Sequence, residues 1–211
     1  AYEPDAKEGF GRTWLGYTEY PGAPALREAL AAQLYTATGA AQIIVHTGAQ
    51  EAIYSFMNTM FKAGDHLIVH MPGYQSHYSV ASALGISVTP WMAREEQQWS
   101  LDIDELDTLV RPETRGLVIC FPHNPTGYLP TRAQFDAIVA FARRHDLLLF
   151  SDEVYRGLEL DPRDRLPAAC DVYDRAVSLG ALAKSHGLAG LRIGWVATRE
   201  RTVLERMSTF K

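Results

Sequence analysis

Cysteine is scarce in this sequence of 211 residues, which contains only Cys120 and Cys170. The two lie far apart and form no metal-binding spacing, so they argue against a disulfide framework and indicate a reducing compartment. An apolar run of membrane-spanning length and a signal peptide are also missing. We therefore expect a cytoplasmic protein without a membrane anchor.

Positive charge is limited as well. The 20 Lys and Arg residues are outnumbered by 25 Asp and Glu residues, which gives a formal net charge of −5. No basic cluster offsets this balance, so no nucleic-acid partner is expected. The seven histidines show no ligand spacing, and no metal site is expected. We expect the histidines to be hydrogen-bonded or solvated, including His46, His70, His77 and His145.

The sequence does contain a regular alternation of short apolar runs and helical stripes. An apolar content of 47% in 211 residues is enough for one large domain or nearly two small ones. The alternation predicts an α/β fold with a mainly parallel sheet, whose ligands bind beyond the carboxyl ends of the strands. The predicted strands are 43–45, 66–69, 86–88, 116–121, 147–150, 176–179 and 193–196. The predicted helices are 24–39, 49–61, 74–84, 101–110, 131–142 and 203–210.

The two ends of the chain predict a longer protein. Ala1 is not an initiator methionine, and the last apolar helical stripe stops at Lys211 without a capping residue.

Lys184 lies in a stretch of small and apolar residues that leads to Arg192 across two glycines. Burial in such a stretch would favour the neutral amine, which is a nucleophile able to form a Schiff base. The planar guanidinium of Arg192 suits a phosphate group. The pair therefore predicts a Schiff-base lysine beside an anchored, phosphorylated cofactor.

Three polar residues follow predicted apolar strands. Asp152 comes after the strand 147–150, where a buried carboxylate needs a partner such as a protonated ring nitrogen; a helix cap or a surface ion pair is the ordinary alternative. Asn124 stands in the proline-rich loop 121–127 and can donate to a ligand oxygen; a plain Pro/Gly turn is the ordinary alternative. Tyr155 could donate to a phenolate-type oxygen or be a half-buried packing residue.

The segment formed by Gly48, Ala49 and Gln50 closes one predicted strand and opens a helix. Small residues there let backbone N–H groups approach a phosphate, assisted by the helix dipole. Such turns also contain glycine for steric reasons alone. Tyr74, which follows the strand 66–69, could stack on an aromatic ring or lie in the core.

Six motifs together resemble the class I/II aminotransferases of the fold type I pyridoxal-phosphate (PLP) enzymes. They occur in the order of that family, and the resemblance extends from about Trp14 to Trp195. It implies a three-layer αβα large domain with a mainly parallel sheet. The motifs are Tyr17–Gly22 with Leu26-Arg27, Thr47–Ala52, Pro72–Tyr74, Asn124–Gly127, Asp152–Tyr155, and Lys184 with Arg192–Trp195.

The resemblance implies catalytic and cofactor-binding roles for particular residues. Lys184 matches the lysine that forms the Schiff base and shuttles the proton. Asp152 matches the carboxylate that pairs with the pyridinium nitrogen and keeps the ring an electron sink. Asn124 and Tyr155 match the residues that hold the phenolate oxygen.

The resemblance also implies how the rest of the cofactor is bound. Tyr74 would stack on the ring. Tyr17 matches a tyrosine that reaches the phosphate of the neighbouring subunit's cofactor, which implies a homodimer with shared active sites. The phosphate would be bound by Gly48, Ala49, Gln50 and Arg192.

Two departures from the family pattern stand out. Ala181 and Ala183 occupy positions where the family often has hydroxyl side chains that contact the phosphate. Residues 1–23 match part of the N-terminal region with its dimer contacts, and 24–211 match an incomplete PLP-binding large domain. We expect the small C-terminal domain, with its carboxylate-binding arginine, to be absent from this chain.

These expectations describe a PLP-dependent aminotransferase that interconverts an amino acid and a 2-oxo acid. Two alternatives stay open. One is a PLP-dependent lyase, cyclase or oxidase that acts on an amino acid, because the same electron sink serves each outcome. The other is an aminotransferase-like sensor domain of a regulator.

Overall fold

The computed structural model describes residues 6–12 and 16–211, and its centre is a single sheet of seven strands. The strands are β1 (Ile43–His46), β2 (His66–Met71), β3 (Ser87–Met92), β4 (Thr114–Cys120), β5 (Leu148–Asp152), β6 (Ala176–Ala181) and β7 (Gly194–Thr198). Their order across the sheet is β1-β7-β6-β5-β4-β2-β3.

The sheet is mainly parallel, as the sequence predicts. Strand β7 alone runs antiparallel to its two neighbours, β1 and β6. Because β1 and β6 are both antiparallel to β7, β1 points the same way as β6 and the other parallel strands. The central strands β4 and β5 are almost entirely buried, which is expected when helices cover both faces of a sheet.

Helices pack on both faces and produce the predicted three layers. On one face, Phe56 of the third helix packs with Met207 of the last helix; on the other, Phe135 and Ile138 of the sixth helix fill a second core. None of the helices in the described ranges is both long and apolar enough to cross a membrane. The helices are α1 (Ala6–Gly11), α2 (Pro24–Leu34), α3 (Ala49–Met60), α4 (Ser76–Ala83), α5 (Glu105–Leu109), α6 (Arg132–Arg144), α7 (Ala169–Val172) and α8 (Arg201–Phe210).

The prediction that helix α2 continues to Gly39 is wrong. Helix α2 ends at Leu34, and Tyr35 is already extended. The carboxylate of Asp171 accepts hydrogen bonds from the backbone N–H groups of Thr36 and Ala37, at 2.7 and 3.0 Å. These tertiary bonds satisfy amides that a longer helix would have bonded internally.

The predicted helix 101–110 is also too long, since α5 contains five residues. The carboxylate of Asp102 accepts a hydrogen bond from the backbone N–H of Asp104 at 3.0 Å. The backbone carbonyl of Asp102 accepts one from the indole of the buried Trp91 at 2.8 Å. A short polar side chain that bonds its own neighbouring backbone favours a turn over a helix.

Candidate active site

The polar residues selected from the sequence lie beyond one edge of the sheet. Asp152 ends β5, Asn124 follows β4, Lys184 follows β6, and Gly48 follows β1. Since these four strands point the same way, their carboxyl ends meet at this edge. This is where ligands bind in open α/β sheets.

One cavity at this edge brings together every predicted site residue except Tyr17. Ala181 and Ala183, the two departures from the family pattern, line the same cavity and contribute no side-chain donor. The predicted residues in its wall are Gly48, Ala49, Gln50, Tyr74, Asn124, Asp152, Tyr155, Lys184 and Arg192.

The end of the cavity near β1 is formed by the start of helix α3. Gly48 precedes the helix, and no side chain caps the helix there. The first backbone N–H groups of a helix have no intrahelical acceptor and carry the positive end of the helix dipole. Gly48, Ala49 and Gln50 line the cavity at this point, so this end suits an anion such as a phosphate.

The guanidinium of Arg192 lies against the same turn. A Cβ atom added to Gly48 would stand 2.5 Å from Nη2 of Arg192, so the arginine occupies the space that a side chain would need. Gly194 is equally restricted, because a Cβ there would be 2.6 Å from the backbone nitrogen of Ala49. Two glycines thus allow the arginine and strand β7 to lie close to the turn between β1 and α3.

The carboxylate of Asp152 lies in the wall of the cavity, with 4% of the residue exposed. Oδ2 is 2.8 Å from Nε2 of His77, and Oδ1 accepts from the backbone N–H of Val154 at 3.1 Å. The buried carboxylate therefore has the partners that the sequence requires of it.

His77 is a site residue that the sequence did not identify as one, although its expected hydrogen bonding is confirmed. It is 2% exposed and belongs to α4, three residues after Tyr74. The two rings meet edge to face, with centroids 5.7 Å apart. The spacing of an aromatic residue and a histidine at the start of a helix was the available signal, but 75 residues separate His77 from its partner Asp152.

The prediction that Lys184 is buried is wrong for the single chain. Lys184 is exposed, on the loop that follows β6, and its Nζ is 5.4 Å from the centre of the Tyr155 ring. Strand β6 ends at Ala181, three residues before Lys184, so the lysine lies on a loop at the rim of the cavity although small residues continue on both sides of it.

The remaining predicted residues occupy different parts of the site. Asn124 and Tyr155 are half-buried in the cavity wall, whereas Tyr74 is 43% exposed and does not lie in the core. Tyr17 is 98% exposed and is not part of the cavity wall.

Cys120 is a further wall residue, at the end of β4 beside Asp152. Burial, and then the negative charge of Asp152, raise the pKa of the Cys120 thiol well above its usual value. The group is therefore a neutral thiol at physiological pH. Both cysteines are free and buried.

Two buried histidines form a stacked pair behind the Asn124 loop. The rings of His70 and His123 are 3.8 Å apart and nearly parallel. Burial lowers the pKa of His70 to about 2 and that of His123 to about 4, so both are neutral. His70 and the equally buried His46 have no hydrogen-bond partner for their ring nitrogens in the described part of the chain. The prediction of a hydrogen bond to the protein is therefore wrong for these two histidines within the described residues.

His145 does have the predicted partner, because its Nε2 lies 2.9 Å from the carboxylate of Asp107. Among residues 6–12 and 16–211, no group of three or more His, Cys, Asp or Glu residues is arranged to hold a metal ion.

Comparisons with known proteins identify the family of this chain. The family model for aminotransferase class I and II matches residues 3–211. The chain belongs to this family. Membership implies pyridoxal phosphate as the cofactor, in agreement with the motifs and with the walls of the cavity.

Two relatives illustrate the range of names within the family. Arginine–pyruvate transaminase AruH of Pseudomonas aeruginosa is 35% identical over 185 residues, which are 85% of this chain and 47% of the relative. Capreomycidine synthase of Streptomyces vinaceus is 33% identical over 181 residues, which are 85% of this chain and 46% of the relative.

Solved structures agree with this fold. A PLP-dependent aminotransferase from Streptococcus suis superposes with a TM-score of 0.88 at 32% identity and covers 98% of this chain and 54% of its own. The chain thus spans about half the length of the relatives it matches.

Proposed function

We propose that the protein is a PLP-dependent aminotransferase that interconverts an amino acid and a 2-oxo acid through a Schiff base on Lys184. The observation that carries this proposal is the single cavity shared by residues from five of the six family motifs. Family membership and the aminotransferase names of the relatives support it.

The side chains of the cavity fit pyridoxal phosphate at each of its functional groups. The uncapped start of α3 and the guanidinium of Arg192 suit the phosphate. The buried carboxylate of Asp152 suits a protonated ring nitrogen. Asn124 and Tyr155 suit the phenolate oxygen, and the ring of Tyr74 suits a stacking face.

Bound pyridoxal phosphate would withdraw electrons from the Cα–H bond of an amino acid and so make that proton acidic. Asp152, held by His77 and the backbone N–H of Val154, would keep the ring nitrogen protonated. Lys184 at the rim would supply the amine that holds the cofactor. Once the amino group of the substrate has displaced it, the free Nζ amine would take the proton from Cα and return it at the cofactor carbon.

The proposed protein is a cytoplasmic homodimer in which Tyr17 reaches the phosphate of the neighbouring subunit. The nearly complete exposure of Tyr17 supports an intersubunit role, because such a side chain is available to a second copy. The two free cysteines support a reducing compartment.

Replacement of Lys184 tests the proposed chemistry. Lys184→Ala in the full-length protein should abolish the visible absorbance of the cofactor–lysine conjugate and reduce transamination by orders of magnitude. The matched control is Lys62→Ala, which removes an exposed lysine outside the cavity. After borohydride reduction, the cofactor should be found on the peptide that contains Lys184. Unchanged turnover of the Lys184 variant would refute the proposal.

A second candidate function keeps the cofactor but changes the product. The 33% identity to a protein named capreomycidine synthase, rather than a transaminase, favours this alternative. Product analysis separates the two. A 2-oxo acid with aminated cofactor supports transamination, whereas ammonia or a cyclic amino acid supports a lyase or cyclase.

A further inference from the structure

The end of the cavity at the start of α3, which suits a phosphate, has few side-chain donors. Ala181 and Ala183 contribute none. Arg192 is one donor at this end. Gln50 is another side chain that can donate a hydrogen bond, and it lies in the first turn of α3, where the helix N–H groups are free. The orientation of this carboxamide therefore determines how many donors an anion meets.

The oxygen of the Gln50 carboxamide is held by two hydroxyl groups, one just before α4 and one on its first residue. Oε1 accepts from Oγ of Ser76 at 2.9 Å and from the hydroxyl of Tyr74 at 3.3 Å. A carboxamide oxygen has two acceptor positions, and both are used.

The nitrogen of the same carboxamide keeps its two N–H donors. Within the described residues, Nε2 of Gln50 has no acceptor on the protein. Gln50 is otherwise exposed, so without these two hydroxyls its long side chain would be free to rotate. Ser76 is half-buried at the first position of α4 and gives the shorter of the two bonds.

We infer that Ser76 is a positioning residue that, with Tyr74, holds Gln50 so that Nε2 donates a hydrogen bond to the phosphate of the bound cofactor. This inference rests on the proposed function, because it concerns the same cavity. The fixed amide adds a neutral donor to the positive helix terminus and to Arg192, on a chain that has alanine at positions 181 and 183.

Comparison of pyridoxal phosphate with pyridoxal tests this inference, since the two differ only in the phosphate. Ser76→Ala in the full-length apoprotein should weaken pyridoxal phosphate binding about tenfold, a usual loss for one hydrogen bond to a charged group. Binding of pyridoxal should not change. Both affinities are measured by absorbance titration.

Ser79→Ala is the matched control, because Ser79 lies on the same helix and its Oγ donates to the carbonyl of Gln75 at 2.9 Å, away from Gln50. It should change neither affinity. Ser76→Thr keeps a hydroxyl and should retain the preference for the phosphorylated ligand. Ser76→Ala combined with Gln50→Ala should lose no more than Gln50→Ala alone.

Gln50→Glu provides a second variant that does not alter helix α4. It preserves the size of the side chain but presents a carboxylate to the phosphate, so pyridoxal phosphate binding should fall while pyridoxal binding persists. General damage to the fold would instead reduce both affinities together.

The outcomes separate this inference from the proposed function. A wild-type protein that binds no pyridoxal phosphate would refute both. A wild-type protein that binds it, with the same ratio of the two affinities in Ser76→Ala and Gln50→Glu, would refute only the role of Ser76 and Gln50.

Discussion

Gly48 allows a quantitative test of how the backbone shapes the end of the cavity that suits a phosphate. Its φ of +86° and ψ of 168° lie in a region that residues with a side chain rarely adopt. An added Cβ would also stand 2.5 Å from Nη2 of Arg192. The change Gly48→Ala therefore has two effects, which are backbone strain and displacement of the guanidinium.

The two effects act on different quantities. Backbone strain should lower the free energy of unfolding by about 1–3 kcal/mol. The guanidinium is the far end of a flexible side chain whose Nη1 makes an exposed hydrogen bond to the carbonyl of Ala189, so its displacement should cost little stability. It should, however, cost the charge-assisted bond to the phosphate, worth about 1.5–3 kcal/mol, which corresponds to a roughly 10- to 150-fold rise in the Kd for pyridoxal phosphate.

Gly64→Ala separates the two effects. Gly64 also has a positive φ, of +90°, but no atom lies within 4 Å of an added Cβ. Urea denaturation of the apoproteins should show similar losses of stability in both variants, whereas absorbance titration should show weaker cofactor binding only in Gly48→Ala. Equal cofactor affinities in the two variants would contradict the role assigned to Arg192.

Three further predictions concern buried polar groups. His77→Phe should lower the free energy of unfolding by about 1–3 kcal/mol, because the buried Asp152 carboxylate loses one of its two partners; urea denaturation measures this, and an unchanged midpoint would contradict it. Burial lowers the pKa of His46 from 6.5 to about 4, so its contribution to stability is complete above pH 6.5 and is lost as the pH falls toward 4; His46→Leu should flatten the pH dependence of unfolding in that window. Burial raises the pKa of Asp171, but hydrogen bonds from two loop amides and from the hydroxyls of Thr36 and Thr38 together outweigh burial and lower the pKa from 3.8; the resulting stability is lost as the pH falls below 3.8, and Asp171→Asn should remove this loss in acid titrations.

Most of the candidate site was predictable from local sequence. Asp152, Asn124 and Gly48 could be selected because each follows an apolar run, and parallel strands bring such positions to one edge. The helix periodicity of α3 and the capping threonine of α6 predicted the start of each helix correctly. These features depend on neighbouring residues alone.

The short helix α5 has a local cause, the bond from the Asp104 backbone to Asp102, but the other errors arose where distant residues decide the outcome. Helix α2 ends early because Asp171, 135 residues further along the chain, bonds the backbone of Thr36. The partner of Asp152 could not be chosen among the histidines, since His77 reaches it only when α4 packs on the sheet. The exposure of Lys184 depends on where β6 ends, which its pairing with β7 decides.

The sequence by itself determined the α/β class, the mainly parallel sheet and the residues that gather at its carboxyl edge, because period and turn chemistry are local properties and strands that alternate with helices favour parallel neighbours. Only the tertiary structure decided the strand order with its reversed β7, the bond between His77 and Asp152, and the contact of Ser76 with Gln50. Each of these depends on which elements pack together, and that choice is made by burial of apolar surface over the whole chain rather than by any one segment.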